Sequence, residues 1–197
     1  MIQFAILPNR SYFHIIMKQT LLILKLLLFT YLLYLLYILF AEYDPTSASF
    51  RPPFVIWVTD WMNLYIHEAG HLIFKIFGRT IYFFGGSLTQ ILIPLALVLV
   101  IARQRNWYIG AAGFWLGENF VNVSVYIKDA PFRELRLIGR GLIHDWNWLL
   151  SNNLDIAEPL ASIVFITGIF VCAASIVIGI ILSIRDFKWY DESALPD

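Results

Sequence analysis

Long apolar runs separated by short polar stretches make up most of this chain. The first run covers residues 20–41 and contains a single charged residue, Lys25. Four more runs follow, at residues 54–77, 87–102, 107–127 and 160–184. About 20 predominantly apolar residues are enough to cross the hydrocarbon core of a bilayer as a helix. The pattern therefore predicts an all-α, polytopic membrane protein with about five transmembrane helices, at least four of which span the bilayer.

The same pattern divides the chain into consecutive regions of one membrane-embedded unit. Residues 1–19 are predicted to form an N-terminal arm, and residues 20–41 a signal anchor that stays in the mature protein because no cleavage site follows it. Residues 54–158 form the membrane core, and residues 159–185 the C-terminal transmembrane helix. We expect the polar stretch at residues 128–158 to contain a short helix at the membrane interface.

Composition agrees with a membrane location. Hydrophobic residues make up 59% of the chain, charged residues only 14%, and the mean hydropathy is +0.70. Soluble domains carry about 25% charged residues. We therefore expect a multi-pass integral membrane protein whose partners include membrane lipids. The formal net charge is zero, so nothing points to nucleic acid, and the single Cys172 is predicted to be a buried thiol rather than part of a disulfide or zinc site.

His67, Glu68 and His71 form an H-E-x-x-H motif, here HEAGH, within the second apolar run. Residues four apart on a helix lie on one face, so the two imidazoles can bind a single metal ion. Zn²⁺ suits this ligand type, and Glu68 can reach a water on the metal. Structural core histidines are the competing interpretation. Ionisable groups at membrane depth are costly, however, and are usually functional.

Two histidines do not complete a catalytic zinc site, which usually has three protein ligands and a water. The candidates for the third ligand are Asp129, His144 and Asp145, which follow the fourth apolar run. One crossing separates the second and fourth helices, so they should run parallel and place these residues on the side towards which HEAGH points. Each candidate also has an ordinary interpretation: Asp129 as a solvated interface charge, and His144 and Asp145 as parts of a loop in which Asp145 caps a short helix at residues 146–150.

HEAGH within a transmembrane helix resembles the site-2 protease class of intramembrane zinc metalloproteases. That class carries its third ligand, an aspartate, in a later membrane segment with an N-x-x-P-x-x-x-L-D-G type motif. The order of Asn119, Asn122 and Asp129 is similar, although the proline is missing and Ala-Pro replaces the glycine. The resemblance covers about residues 54–131. The HEAGH, GGS and HDW sequences together also resemble a group of small bacterial membrane proteins, which implies a bacterial cytoplasmic membrane but names no activity.

The resemblance implies a metalloprotease-like membrane core that acts as a zinc-dependent endopeptidase within or next to the membrane, on a peptide or membrane-protein substrate. Glu68 would assist the attack of zinc-bound water on the peptide bond. Independently of the resemblance, Asn119 or Asn122 in the polar patch of the fourth run could donate to the oxyanion, with ordinary interhelical hydrogen bonding as the competing interpretation. With this analogy, Asp129 ranks first as the third ligand, His144 second and Asp145 third.

Two other functions remain open at this point. A catalytically inactive, metal-binding scaffold, or pseudoprotease, is favoured by the departures from the aspartate motif and disfavoured by the intact Glu68. A metal transporter would need a polar path through the whole bilayer, and the first and fifth apolar runs show none.

Further polar residues near the motif are candidates for supporting roles. Asn63 and Asp60 precede His67 by one and two helical turns, so either could accept a hydrogen bond from its imidazole. Glu118 in the fourth run is costly unless it is paired or hydrated. The Gly-Gly-Ser sequence at residues 85–87 predicts a tight turn, and residues 80–84 are β-prone and could pair with an extended substrate.

Overall fold

The computed structural model describes residues 10–135 and 143–192. Within these ranges every regular element is a helix, which confirms the all-α class. The α-helices are α1 (Arg10–Ala41), α2 (Phe54–Phe74), α3 (Arg79–Gln104), α4 (Ile109–Lys128), α5 (Asp145–Leu149) and α6 (Ala157–Glu192). A 3₁₀ turn at Lys75–Phe77 follows α2, and Gly78, with φ of 92°, then turns the chain into α3. Because a positive φ is costly for other residues, a glycine is favoured at this corner.

Three of the described helices are long and apolar enough to cross a membrane. The candidate spans are Phe13–Ala41, Arg79–Gln104 and Leu154–Lys188, in α1, α3 and α6. Many of their Leu, Ile and Phe side chains are exposed on the outside of the molecule, a surface suited to lipid. These helices are compatible with a membrane protein. Crossing by α2 and α4, which carry more polar residues, stays a prediction.

Two boundaries differ from those predicted. Residues 10–19 continue the first helix rather than forming a separate arm, and residues 1–9 lie outside the described ranges. The third helix begins at Arg79, so the predicted turn at residues 85–87 and the predicted strand at residues 80–84 are wrong. This stretch is helical and closely packed: a Cβ atom on Gly85 would lie only 2.6 Å from the Cβ of Phe74 in α2. The glycines here allow two helices to approach rather than ending one.

The interface between α4 and α6 forms the apolar side of the core. Small residues of α4 face small residues of α6, and a Cβ atom on Gly117 would lie 2.5 Å from the Cys172 sulfur. Such small-residue contacts let membrane helices pack at close range. Cys172 is buried, as predicted, and its thiol donates to the carbonyl of Phe114 at 3.4 Å.

Helix direction brings the polar residues to one end of the molecule. Going along α2, Asn63 bonds Glu118 of α4, while the later His67 stacks on the later Tyr126, so α2 and α4 run in the same direction, as expected. The intervening α3 runs the opposite way. Its N-terminal half therefore lies beside the C-terminal halves of α2 and α4, where the HEAGH residues lie.

Candidate metal centre

His67, His71 and Asp145 meet in one group at this end of the molecule. The Nε2 atoms of His67 and His71 lie 2.8 and 3.1 Å from the same carboxylate oxygen, Oδ2 of Asp145. One ligand atom from each residue lies within 4.8 Å of the other two. Within the described ranges, no other set of three or more His, Cys, Asp and Glu side chains is arranged so that it could hold a metal ion. Two imidazoles and a carboxylate are the donor set of one type of catalytic zinc site.

The second nitrogen of each imidazole is held by an acceptor. His71 Nδ1 lies 2.8 Å from the backbone carbonyl of Tyr82, and His67 Nδ1 lies 3.3 Å from the side-chain oxygen of Gln90. Both oxygens can only accept, so they favour the tautomer that carries its proton on Nδ1. In that tautomer each Nε2 would offer its lone pair to a metal, as in metal sites whose histidines donate their other N–H to an oxygen. Without a metal, the short contacts of both Nε2 atoms with Asp145 Oδ2 need a proton on Nε2 too, that is, the imidazolium form. The group therefore fits a zinc ion both in its donors and in its tautomers.

Asp145 reaches the two histidines because α5 is fixed to α3 and to the end of α4. The indole N–H of the buried Trp146 donates to Ser87 of α3 at 3.0 Å. The side-chain amide of Asn147 donates to the carbonyl of Ala130 at 2.8 Å. A helix of five residues has little stability of its own, so these tertiary contacts determine where the carboxylate lies.

Asp129 is not a member of the group, and its first rank as the third ligand was wrong. Its carboxylate accepts hydrogen bonds from the backbone N–H groups of Glu134 and Leu135, at 2.9 and 3.0 Å, and is bonded to His144 Nε2 at 2.8 Å. Asp129 thus joins the start of the loop after α4 to residues 134 and 135 of the same loop. Three donors already surround the carboxylate, which explains why it does not turn towards α2.

The prediction of His144 as a metal ligand is corrected in the same way. One ring nitrogen is bonded to Asp129, and the other, Nδ1, is buried without a hydrogen-bond partner. Asp129 and His144 instead fix the position of the residue that follows, Asp145. They act as a latch between the end of α4 and the start of α5, which we call the Asp129–His144 latch.

The electrostatics of Asp145 favour the ionised carboxylate. Burial raises its pKa, but hydrogen bonds and charge interactions with His67 and His71 outweigh burial and leave the pKa below its usual value. An ionised carboxylate is the form that binds a metal.

The two predicted catalytic residues have different surroundings. Glu68 follows His67 on α2, is partly exposed, and lies near enough for its charge to act on His71. Asn119 is fully buried, and its amide donates to the carbonyl of Trp115 in its own helix at 2.8 Å. The structure does not bring Asn119 to the group, so its predicted role as an oxyanion donor is corrected.

The predicted supporting residues also lie elsewhere. The amide nitrogen of Asn63 donates to both carboxylate oxygens of Glu118, at 3.0 and 2.8 Å, and the Trp115 indole donates to the Asn63 oxygen at 3.0 Å. Glu118 is thus paired, as its burial requires, but Asn63 does not orient His67. Tyr82 and Gln90 of α3 hold the imidazoles instead. The one sign of this in the sequence is a polar glutamine within an apolar run.

A cleft of about 480 Å³ lies beside the metal group, between the loop after α1 and helices α2 and α4. Tyr126 forms part of its wall and also stacks on the His67 ring, with centroids 5.5 Å apart and planes at 18°. Asp60 and the aromatic Trp57 and Trp61 line the cleft as well. A ligand in this cleft would be separated from His67 by one aromatic ring.

Comparisons with models of known protein families, with curated proteins and with solved structures find no match to this chain.

Proposed function

We propose that this chain is a zinc-dependent endopeptidase acting within or next to a membrane. The observation that carries the proposal is the meeting of His67, His71 and Asp145 at one point, with the Nδ1 atom of each imidazole held by an oxygen. This is a ligand set suited to catalytic Zn²⁺. Glu68 stands next to it in the order that H-E-x-x-H metallopeptidases use for their general base.

The chain's own residues divide the chemistry between them. A zinc ion held by the three residues would lower the pKa of its water and polarise a peptide carbonyl. Glu68 takes a proton from the attacking water and returns it to the leaving amine. Within the described ranges its carboxylate forms no hydrogen bond or ion pair, so it can turn towards a bound peptide. Tyr126 covers one face of His67 and restricts the orientation of the ring.

The proposed location in the membrane extends the three apolar helices to five. With lengths of 21 and 20 residues, α2 and α4 are long enough to cross beside α1, α3 and α6. The peptide or membrane-protein substrate must then unwind, because a helical backbone shields its carbonyls. The resemblance to small bacterial proteins favours the cytoplasmic membrane of a bacterium.

One observation favours a second function. Asp145 bonds both imidazoles directly, so the three side chains satisfy one another without a metal. A pseudoprotease scaffold could use this contact simply to join α5 to α2. Cleavage separates the two functions, because a scaffold that has kept the metal site would bind zinc without cleaving a substrate.

The test uses the full chain in detergent and in proteoliposomes. Zinc content is measured for the wild-type protein, for Glu68→Gln and for Glu158→Gln, a control at an exposed carboxylate of α6. We expect one zinc per chain in all three, and cleavage of co-reconstituted membrane proteins by the wild type and the control only. Zinc-free wild-type protein, or zinc-loaded wild-type protein that cleaves nothing, would contradict the enzyme and leave the scaffold. Full activity in Glu68→Gln would contradict the role of Glu68 as the general base.

A further inference from the structure

A row of hydrogen bonds leads from the metal group to the carboxylate of Asp60, which precedes His67 by two turns of α2. His67 Nδ1 meets the Gln90 side-chain oxygen at 3.3 Å. The Gln90 amide donates to the Asn122 oxygen at 2.7 Å, and the Asn122 amide donates to Asp60 Oδ1 at 3.1 Å. The hydroxyl of Tyr43 donates to the same Asp60 oxygen at 2.7 Å. Three helices, α2, α3 and α4, contribute to this row.

The hydrogen bonds of the row all point the same way. His67 donates to Gln90, Gln90 donates to Asn122, and Asn122 donates to Asp60. Each amide therefore presents its oxygen towards the imidazole and its N–H groups towards the carboxylate. Dipoles aligned in one direction polarise one another, so the negative charge of Asp60 acts on His67 through the row. In ordinary metal sites a carboxylate or carbonyl bonded directly to the histidine has this effect.

We propose that Asp60 is the remote carboxylate of the metal centre and that Gln90 and Asn122 are positioning residues which transmit its effect to His67. We call the four residues the Asp60–His67 relay. It fixes the His67 tautomer and makes Nε2 a better donor to zinc. The proposal rests on zinc binding by His67, but it does not depend on peptidase activity.

Burial supports a specific role for the relay. Gln90 is only 1% exposed and Asn122 only 8%, so each amide is removed from water at a cost that its hydrogen bonds must offset. An apolar residue at either position would fill the same space without that cost. The Asn63–Glu118 pair shows the contrast, since it satisfies a buried carboxylate in the same helices and has no hydrogen bond to the metal group among the described residues.

Asp60 also connects the metal centre with the cleft. It lines the cleft together with Asn122 and Tyr43, while its hydrogen bonds lead away to His67. The relay therefore starts at a surface that a ligand can reach.

The test measures zinc affinity by competition with a chelator, and the visible absorption spectrum of the Co²⁺-substituted protein. Asp60→Asn and Gln90→Leu should each weaken zinc binding about 10-fold, the lower end of the effect of outer partners of metal ligands. The control, Glu118→Gln, replaces a buried carboxyl group outside the relay and should change the affinity less than about twofold. Circular dichroism and the thermal midpoint report whether each variant keeps its fold.

A double-mutant comparison separates a relay from general destabilisation. In the Gln90→Leu background, Asp60→Asn should weaken zinc binding by no more than about twofold, because groups that act through one another are not additive. Gln90→Glu places a carboxylate directly beside the imidazole. The double variant Gln90→Glu, Asp60→Asn should therefore have the zinc affinity and the cobalt spectrum of the wild type, unlike Asp60→Asn alone.

Two results would overturn the relay. The first is wild-type zinc affinity in both Asp60→Asn and Gln90→Leu. The second is the same 10-fold loss for Asp60→Asn whether residue 90 is glutamine or leucine. If Asp60→Asn and Gln90→Leu lose cleavage but keep the wild-type zinc affinity, the relay is rejected. If the wild-type protein cleaves nothing but its zinc affinity depends on the relay residues as predicted, only the peptidase is rejected.

Discussion

The α4–α6 and α2–α3 interfaces both contain closely packed glycines, but the glycines have different roles in the two interfaces. Both have glycines where a Cβ atom would collide with the facing helix. At α4–α6, Gly117 faces the Cys172 sulfur, and the close approach only increases packing. At α2–α3, a Cβ atom on Gly86 would lie 2.6 Å from Nε2 of His67. The second interface therefore uses the missing side chain to make room for a metal ligand, and the comparison separates stability from function.

The largest expected effect comes from removing the donors. The His67→Ala, His71→Ala double variant should lose zinc binding by more than about 1,000-fold, since two of three ligands are gone. Gly117→Ala, at the α4–α6 interface, should keep one zinc per chain. Metal analysis after gel filtration makes the comparison, and stoichiometric zinc in the double variant would remove the basis of the site.

Substitution of the third ligand should reduce zinc affinity more than substitution in the Asp129–His144 latch. Asp145→Ala removes a donor and should weaken zinc binding by about 100-fold or more, whereas Asp129→Asn releases only the latch and should cost about 10-fold. The affinity of each variant is measured by chelator competition. A larger loss for Asp129→Asn than for Asp145→Ala would return Asp129 to the position of ligand.

Two glycine substitutions test the comparison directly. Gly86→Ala should displace His67 and reduce zinc affinity about 10-fold or more, with a smaller effect on folding. Gly117→Ala should lower the free energy of unfolding by about 1–3 kcal/mol, a usual cost of overpacking, with zinc affinity unchanged. Thermal unfolding in detergent and zinc titration are measured on both proteins. Equal effects of the two substitutions on both measurements would show that the interfaces are not functionally distinct.

The smallest expected effect concerns the contact that places α5. Trp146→Phe keeps the aromatic packing but loses the hydrogen bond to Ser87. A single neutral hydrogen bond contributes about 0.5–1.5 kcal/mol, so zinc affinity should fall no more than about 10-fold. Ser87→Ala removes the same bond from the other side and should give the same loss. Unchanged zinc affinity in both variants would mean that packing of the aromatic ring, and not the hydrogen bond, places Asp145.

The sequence predicted what depends on local spacing and composition. The helical apolar runs and the shared face of His67 and His71 follow from residue type and the 3.6-residue period, and both are found. Asp145 stands last among the three candidates that the sequence offers, yet it is the one that reaches the histidines. Its position depends on contacts of Trp146 with α3 and of His144 with Asp129, which no local pattern encodes. The analogy with an Asn-to-Asp motif instead favoured Asp129, whose carboxylate is used by its own loop.

The misassigned turn has a related cause. Two adjacent glycines and a serine are typical of turns, but Gly85 and Gly86 are required by the closeness of α2, which only the folded chain reveals. Gln90 was missed for the same reason. Gln90 lies one helical turn beyond Gly86 on the same face of α3. The one available signal in the sequence was a polar amide side chain within a run of apolar residues.

The most direct measurement is the position of bound zinc, determined by anomalous diffraction at the zinc absorption edge from crystals of the full chain. The account predicts one peak between the Nε2 atoms of His67 and His71 and the carboxylate of Asp145. No peak there, or a single peak between Asp129 and His144, would contradict it.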